Sequence, residues 1–257
     1  MITTPTLTLP GGAIPVLGLG TWQSTGDEAE RTVAAALELG YRHLDTATGY
    51  GNEAQVGRGL ALVDMDRDDV FVTTKLPPDH VGRERRTLLE SLAALGTDHV
   101  DLWLIHWPPR GKASPQVWQE LRRARDEGLT RSIGVSNYSI AQIDQLIEAT
   151  GEAPAVNQIP YSPADHDPDL LDAHRERGVV VEGYSPLKRT DLASEALTKA
   201  AATHGVTPAQ VVLAWHLAHQ VVVIPKTTHQ DRLEANLGAL QVELTSDEVA
   251  AIDALGW

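Results

Sequence analysis

The sequence predicts an α/β protein that folds as a single (β/α)8 barrel, or TIM barrel, over residues 1–257, with an N-terminal β-hairpin. Short runs rich in β-branched residues alternate with longer amphipathic segments, and the alternation continues to the end without a low-complexity linker. The length of 257 residues fits eight strand-helix units. A doubly wound open sheet remains an alternative, because periodicity does not show whether a sheet closes.

The hairpin is predicted from "TLTLPGGAIPV", with its turn at Gly11 and Gly12. The barrel strands are predicted from eight later runs, which are "VLGLG", "YRHLD", "VFVTTK", "VDLWLIH", "RSIGVS", "AVNQI", "VVVEGYS" and "VVVIPK". Eight strands with helices between them are the pattern of this barrel.

Helical spacing of apolar residues is clear in five segments, which are 27–39, 83–95, 115–127, 140–149 and 208–219. Four of these segments are followed by a glycine, at Gly40, Gly96, Gly128 and Gly151. Glycine is the preferred residue just past a helix, because it adopts the left-handed conformation without a steric penalty. These glycines therefore predict where the helices end.

The composition is that of an ordinary globular chain, with 42% hydrophobic and 22% charged residues. A formal net charge of -14 argues against nucleic acid and anionic membranes as partners, because both would be repelled. The absence of cysteine excludes disulfides, thiolate metal sites and a cysteine nucleophile, and it fits a reducing cytoplasm. The amino terminus has no secretory signal pattern, and no apolar run approaches the roughly 20 residues of a membrane span. We therefore expect a cytoplasmic protein.

Polar residues collect at the predicted carboxyl ends of the strands, where (β/α)8 barrels carry their functional loops. They are Asp45, Lys75, His106, Ser136, Asn137, Gln158, Tyr184, Ser185 and Lys226. Each alone has an ordinary structural interpretation as a cap, a rim charge or a hydrogen-bonded polar group. Together they predict one polar site at this end of the barrel.

Asp45, Tyr50, Lys75 and His106 form a chemically coherent set if strands two, three and four are neighbours. A free phenol has a pKa of about 10, and a nearby ammonium stabilises the phenolate and lowers that pKa. Lys75 would supply this charge to Tyr50, Asp45 would pair with Lys75, and His106 would hydrogen-bond beside the phenol. Such a set is suited to protonating a carbonyl oxygen.

The motifs "GYRHLDTATGYGNE", "VFVTTK", "VDLWLIHWP", "LTRSIGVSN", "AVNQI", "YSPL" and "VVVIPKTTHQDRLEAN" resemble successive signatures of the aldo-keto reductases, and the bacterial branch of the 2,5-diketo-gluconate reductases is the most similar. The resemblance runs in order over nearly the whole chain. It implies a barrel enzyme that reduces aldehydes and ketones with NADPH, with Tyr50 as general acid, Lys75 and Asp45 tuning it, and His106 orienting the carbonyl.

The resemblance also implies the cofactor contacts. Gly20, Thr21 and Trp22 would form the pocket floor, and Ser136, Asn137 and Gln158 would hold the nicotinamide carboxamide, while Tyr184 stacks on the ring. Ser185 and Leu187 would follow the pyrophosphate, and Lys226, Thr227, Arg232 and Asn236 would hold the adenosine end, with the cations on the 2′-phosphate. Trp22 and Trp107 are candidate apolar walls for a small carbonyl substrate.

Three departures from the family pattern concern cofactor affinity and substrate choice. Ala235 stands where many relatives have a glutamate, the loop after "NQI" reads "PYSPADHD", and the chain ends at "IDALGW" where many relatives carry a further tail. We therefore expect a shallow, open substrate site that accepts several carbonyl compounds. A monomer is expected, with the oligomeric state left open.

Two other patterns in the sequence suggest different functions. Tyr184 and Lys188 in "YSPLK" have the spacing of the short-chain dehydrogenase pair, but Pro186 opposes a helix there and the first strand lacks a G-x-G-x-x-G turn. His216 and His219 are one helical turn apart, but no carboxylate or third ligand accompanies them, so a packed or solvated pair is expected and no metal site is predicted.

A regulatory function is the remaining alternative. The protein would then bind reduced nicotinamide as a redox sensor or regulatory subunit with little turnover, as some proteins that resemble this family do. The complete Asp, Tyr, Lys, His set favours an enzyme.

Overall fold

The computed structural model describes residues 4–256 and begins with an antiparallel hairpin, β1 (Thr6–Leu9) and β2 (Gly12–Pro15). Leu9 pairs with Gly12, so the turn is at Pro10 and Gly11, one residue before the predicted position. The reason is conformational, since Gly11 has a positive φ of 95° and follows a proline, which is the preferred order in a type II turn. The described chain contains no helix long and apolar enough to cross a membrane.

Within residues 4–256, eight parallel strands follow in chain order and form one sheet. They are β3 (Leu19–Gly20), β4 (His43–Asp45), β5 (Phe71–Leu76), β6 (Val100–Ile105), β7 (Thr130–Ser136), β8 (Val156–Pro160), β9 (Val180–Tyr184) and β10 (Val222–Val223). Parallel bridges from Leu17 to Val223 and from Gly20 to Lys226 join the last strand to the first. The predicted barrel is therefore confirmed, and the open-sheet alternative is wrong.

The first and last barrel strands are shorter than their predicted runs. Pro225 has no N–H to donate to a ladder, which limits regular pairing at the end of β10. Its carbonyl still accepts a hydrogen bond from the Gly20 N–H at 3.2 Å, which keeps the barrel closed at this point.

In the part of the chain that the structure describes, ten α-helices surround the sheet. They are α1 (Gly26–Leu39), α2 (Glu53–Ala61), α3 (Glu84–Leu95), α4 (Pro115–Asp126), α5 (Ile140–Thr150), α6 (Pro168–Glu176), α7 (Glu195–His204), α8 (Pro208–Ala218), α9 (Gln230–Gly238) and α10 (Ser246–Asp253). The five predicted helices begin and end within one residue of the observed bounds. Gly40, Gly96 and Gly151 are left-handed caps, and Gly128 also has a positive φ.

The core has two layers, one on each face of the sheet, and the alternate residues of strand β6 show them both. Leu102 and Leu104 belong to a cluster that includes Leu9 and Ile14 of the hairpin, whereas Trp103 packs with the helices. Alternate residues of a strand point to opposite faces, so the first cluster fills the barrel interior. The hairpin therefore closes the amino-terminal end of the barrel. Trp103 and Trp215 are both buried.

Candidate active site

A cavity of about 430 Å³ lies at the carboxyl ends of the barrel strands. The predicted residues that line it are Gly20, Trp22, Asp45, Tyr50, His106, Trp107, Ser136, Asn137, Gln158, Tyr184, Ser185 and Lys226. Lys75 and Thr21 lie against Asp45, which is part of the lining. Among the described residues, Leu187, Thr227, Arg232 and Asn236 lie outside the lining. The structure thus brings most of the predicted site together.

The Lys75 ammonium is the centre of the polar cluster below this cavity. Its Nζ lies 2.8 Å from both carboxylate oxygens of Asp45 and donates to the Thr46 carbonyl at 2.8 Å. It also lies 3.2 Å from the hydroxyl oxygen of Tyr50. Strands β4 and β5 pair directly, so Asp45 and Lys75 are held on adjacent strands, and the short loop after β4 carries Tyr50 back over them.

Burial alone would lower the pKa of the fully buried Lys75, but contributions led by the negative charge and the hydrogen bond of Asp45 outweigh it, so the net direction is upward. Lys75 therefore stays an ammonium. Burial also raises the pKa of the Tyr50 phenol, and the charge of Lys75 lowers it by less. Lys75 therefore lowers the phenol pKa as predicted, but the expected net lowering is wrong, because burial outweighs it. Asp45 contributes to the difference, because its carboxylate also raises the pKa of Tyr50.

His106 follows β6 directly and faces the Tyr50 ring edge-on, with ring centroids 5.7 Å apart. Burial and the nearby Lys75 charge lower the pKa of His106 to about 3. The imidazole is therefore neutral near pH 7, with one N–H donor. A neutral N–H donor beside the phenol can hydrogen-bond to a carbonyl oxygen and polarise it. The phenol then remains the group that transfers its proton to that oxygen.

The residues after Tyr50 hold its loop in place. Gly51 adopts the left-handed conformation, with a φ of 66°. Asn52 is buried and donates to the carbonyls of Thr21 and Ser24 at 2.8 and 3.0 Å, and its own oxygen accepts from Thr46 at 2.8 Å. The loop that carries Tyr50 is thereby tied to the loop after β3. Sequence reasoning did not assign Asn52 a function, although its place in "TGYGNE" was a usable signal.

A second polar layer lies inside the barrel, below the Lys75 cluster. The Gln158 amide nitrogen donates to Asp45 Oδ2 at 2.7 Å and to Glu182 Oε2 at 2.9 Å, and Glu182 Oε1 lies 3.5 Å from His43 Nε2. Glu182 and His43 are both fully buried. Burial, followed by the charge of Asp45, raises the pKa of Glu182 to about 8, and burial lowers that of His43 to about 3.

Sequence reasoning missed Glu182 and His43. Strand alternation was the available signal, since His43 stands two residues before Asp45 and Glu182 two residues before Tyr184. Residues at that spacing share the inward face of their strand.

Two of the predicted carboxamide-binding side chains, Ser136 and Asn137, are hydrogen-bonded to each other. Asn137 Nδ2 donates to Ser136 Oγ at 2.9 Å and to the His106 carbonyl at 3.0 Å, while Asn137 Oδ1 accepts from the Tyr184 hydroxyl at 2.8 Å. Asn137 and Ser185 also have positive φ, at 63° and 56°. Left-handed non-glycine residues are uncommon and cluster at functional sites, where surrounding contacts hold them.

The lining of the cavity includes both apolar and cationic side chains. Trp22 and Trp107, the predicted apolar walls, line it and are 56% and 48% exposed. Lys226 and Lys188 also line it. Lys188, Gly49 and Ile224 were not predicted as lining residues, although Lys188 directly follows the "YSPL" motif.

The residues expected at the adenosine end lie around α9. Arg232 is exposed in the first turn of this helix, and Thr227 is buried, with its hydroxyl accepting from the His229 N–H at 3.1 Å. Asn236 is buried beside Tyr41. Leu187 is half-buried against the core cluster around Val181 and Trp215.

The structure also decides two alternative patterns. Tyr184 ends β9 and Lys188 lies in the following turn, so the helix that a short-chain dehydrogenase pair requires is absent from this described stretch. The two ring nitrogens of His216 lie 2.7 and 3.0 Å from the carbonyl oxygens of Val212 and Tyr161, and His216 does not share a ligand position with His219. His219 instead lies 2.8 Å from Asp253, so the expectation that no carboxylate accompanies it is wrong. Asp253 is too distant in sequence to have been associated with it.

Comparisons with known proteins agree with this arrangement. Residues 16–256 match the model of the aldo/keto reductase family. The methylglyoxal reductase DkgA of Yersinia pestis is 39% identical over 249 residues, covering 95% of this chain and 90% of that protein. A crystal structure of an aldo/keto reductase from Brucella melitensis has a TM-score of 0.94 at 37% identity, covering 98% of this chain and 100% of the other.

A Bombyx mori aldo-keto reductase crystallised in complex with NADP is also similar. Its TM-score is 0.89 at 33% identity, covering 99% of this chain and 94% of the other. The chain therefore belongs to the aldo/keto reductase family. By family membership it is an oxidoreductase that catalyses NADP-dependent carbonyl reduction.

Proposed function

We propose that this protein reduces small aldehydes and ketones to alcohols with NADPH, and that Tyr50 is the general acid. The observation that carries the proposal is the 3.2 Å contact between the Tyr50 hydroxyl and the Lys75 ammonium at the base of an open cavity. When bound, the reduced nicotinamide supplies the hydride that is added to the carbonyl carbon. Tyr50 gives its proton to the carbonyl oxygen, and solvent later restores it.

The electrostatics of the site suit this division of labour. The raised pKa of Tyr50 keeps the phenol protonated at neutral pH, so the proton is available before the reaction. The phenolate that forms on transfer lies beside the Lys75 ammonium, which stabilises it. Asp45 holds Lys75 in position and balances its charge. His106, neutral at this pH, donates a hydrogen bond that orients the carbonyl oxygen.

The residues around the cavity fit a nicotinamide dinucleotide. We assign Ser136, Asn137 and Gln158 to the carboxamide, and Tyr184 to the ring, with Gly20, Thr21 and Trp22 at the floor. The hydrogen bonds among these polar groups would be exchanged for bonds to the carboxamide. We assign Ser185 and Leu187 to the pyrophosphate, and Lys226, Thr227, Arg232 and Asn236 to the adenosine phosphate end. Support comes from the similar silkworm structure in complex with NADP.

The substrate class is a compact carbonyl compound. The methylglyoxal reductase of Yersinia pestis supports this class, since methylglyoxal is a small dicarbonyl. The exposed Trp22 and Trp107 offer apolar walls with few polar contacts to discriminate among substrates. Membership of the branch that resembles the 2,5-diketo-gluconate reductases is part of this proposal.

The test is Tyr50→Phe, which removes the hydroxyl and keeps the ring. NADPH consumption with methylglyoxal should fall about 10² to 10⁴-fold, the usual loss of general acid catalysis, while NADPH affinity stays unchanged. Tyr138→Phe is the matched control, because the Tyr138 hydroxyl donates to the Ala113 carbonyl at 3.1 Å and is not part of the cavity lining. Wild-type turnover in Tyr50→Phe would show that another group donates the proton.

A further inference from the structure

Two histidines and one aspartate meet outside the active-site cavity. His166 lies between β8 and α6, His219 directly follows α8, and Asp253 ends α10. His166 is buried, and the other two side chains are half-buried. The three residues are far apart in sequence, so the fold itself brings them together.

Their ligand atoms converge. His219 Nε2 lies 2.8 Å and His166 Nε2 lies 3.6 Å from the same oxygen of Asp253, Oδ1. One ligand atom from each of the three residues lies within 4.8 Å of the other two. A tetrahedral ion with bonds of about 2.0 to 2.2 Å places its ligand atoms roughly 3.3 to 3.6 Å apart. The observed separations bracket that range, so changes of about 1.5 Å or less in these separations would complete the geometry.

An ion pair between His219 and Asp253 explains only part of this arrangement. It leaves His166 Nε2 directed at the same carboxylate from beyond hydrogen-bond distance. The other ring nitrogen of His166, Nδ1, is already hydrogen-bonded to the Tyr161 hydroxyl at 2.9 Å. The second ring nitrogen of a metal-binding histidine is usually held in this way.

The carboxylate has a similar partner. Trp215 Nε1 donates to Asp253 Oδ1 at 2.7 Å, which fixes the orientation of the carboxylate. Hydrogen bonds of this kind hold the ligating side chains of metal sites in place. Both His166 and Asp253 are therefore oriented by groups that would not themselves bind an ion.

We propose that His166, His219 and Asp253 bind one divalent transition-metal ion of the Zn²⁺ type, with a fourth position left to water. Two imidazoles and a carboxylate are ligands that Zn²⁺ binds in proteins. Such a site needs no cysteine, and this chain has none. The ion would join the loop after β8 to the ends of α8 and α10. Since none of the three residues lines the active-site cavity, its role is structural.

The test is a titration of Zn²⁺ into tag-free, metal-stripped, full-length protein against a competing chromophoric chelator, with Co²⁺ absorption as a second probe. We expect one Zn²⁺ per chain and a visible Co²⁺ spectrum. His166→Gln and His219→Gln should each weaken Zn²⁺ binding at least about 10 to 100-fold, and Tyr161→Phe, which removes only the outer hydrogen bond, by about 10-fold.

His204→Gln is the matched control, because His204 pairs with Glu248 at 3.0 Å without belonging to the three-residue cluster. Its Zn²⁺ affinity should equal that of the wild type. Asp253→Asn keeps the side-chain shape and serves as a second ligand variant if a histidine variant fails to fold. The proposal is overturned if wild-type protein binds no stoichiometric Zn²⁺, or if binding survives in both His166→Gln and His219→Gln.

Discussion

The side-chain amide of Gln158 donates a hydrogen bond to Asp45 Oδ2 over 2.7 Å, and Asp45 in turn holds the Lys75 ammonium. The same nitrogen donates to Glu182, so one amide group is the hydrogen-bond donor to two buried carboxyl groups. Gln158 therefore has a structural role below the cavity in addition to the cofactor contact that we propose for it. This double role leads to a prediction that separates the two functions.

Gln158→Leu should lower the free energy of unfolding by about 1 to 3 kcal/mol, because two buried acceptors lose their shared donor. Urea denaturation at pH 7 measures the change. Gln116→Leu, at an exposed position of α4, is the control and should stay within about 0.5 kcal/mol of wild type. A variant of unchanged stability that only binds NADPH more weakly would show that Gln158 acts solely on the cofactor.

The pH dependence of carbonyl reduction should reflect the raised pKa of Tyr50. Because the phenol stays protonated until the pH exceeds its ordinary pKa of about 10, the rate at saturating NADPH should not decline through loss of this proton below about pH 9. Lys75→Met should be less active at every pH, since the phenolate formed on proton transfer loses its stabilising charge. An alkaline decline near pH 8 that disappears in Tyr50→Phe would contradict the raised pKa.

Glu182 should make stability fall as pH rises. Its pKa is about 8 in the folded protein and about 4.5 when exposed, so its contribution is fully present below pH 4.5 and is lost as pH rises to about 8. Each unit of difference corresponds to roughly 1.4 kcal/mol. Glu182→Gln cannot ionise, and its stability relative to wild type should therefore increase by at least about 1.4 kcal/mol between pH 5 and pH 8.

Urea denaturation of both proteins across this pH range tests the effect. The difference in unfolding free energy between the two proteins cancels groups that titrate alike in both. What remains is the titration of Glu182 together with its coupling to Asp45, Lys75 and His43, which surround it. Glu176→Gln, exposed at the end of α6, should show no comparable trend. A constant difference between wild type and Glu182→Gln would mean that Glu182 does not titrate in this window.

Arg232 should select NADPH over NADH. It is an exposed cation in the first turn of α9, and only NADPH has a 2′-phosphate for it to bind. A charge-assisted hydrogen bond contributes about 1.5 to 3 kcal/mol, so Arg232→Ala should weaken NADPH binding roughly 10 to 100-fold and leave NADH binding unchanged. Fluorescence titration of both cofactors measures this, with Arg86→Ala on α3 as the control. Equal losses for the two cofactors would assign Arg232 to the fold.

The fold was predictable because its signals are local. Helix ends follow from residues such as Gly40 and Gly151, and strand ends from the polar residues that meet at one rim. The grouping of Asp45, Tyr50, Lys75 and His106 follows from the order of neighbouring strands together with the family resemblance.

Other features depend on how deeply a side chain is buried and on contacts between residues far apart in sequence. A local sequence pattern shows neither. The sequence pairs Tyr50 with Lys75 but does not show how deeply the phenol is buried, and burial decides the direction of its pKa. The approach of Asp253 to His219 depends likewise on the packing of α10 beside α8. The one-residue error at the hairpin turn has a local cause, since two adjacent glycines offered two positions.

The bridge between Leu17 and Val223 gives the barrel a temporal constraint during synthesis. These residues are 206 positions apart, and a ribosome adds about 5 to 20 residues per second, so roughly 10 to 40 s separate their appearance. Through that interval the first barrel strand has only one of its two neighbours available. Because Gly20 pairs with Lys226 at the cavity rim, a nascent chain must have been synthesised through Lys226 before the rim can form. We therefore expect the cofactor to be captured only after Lys226 has left the ribosome.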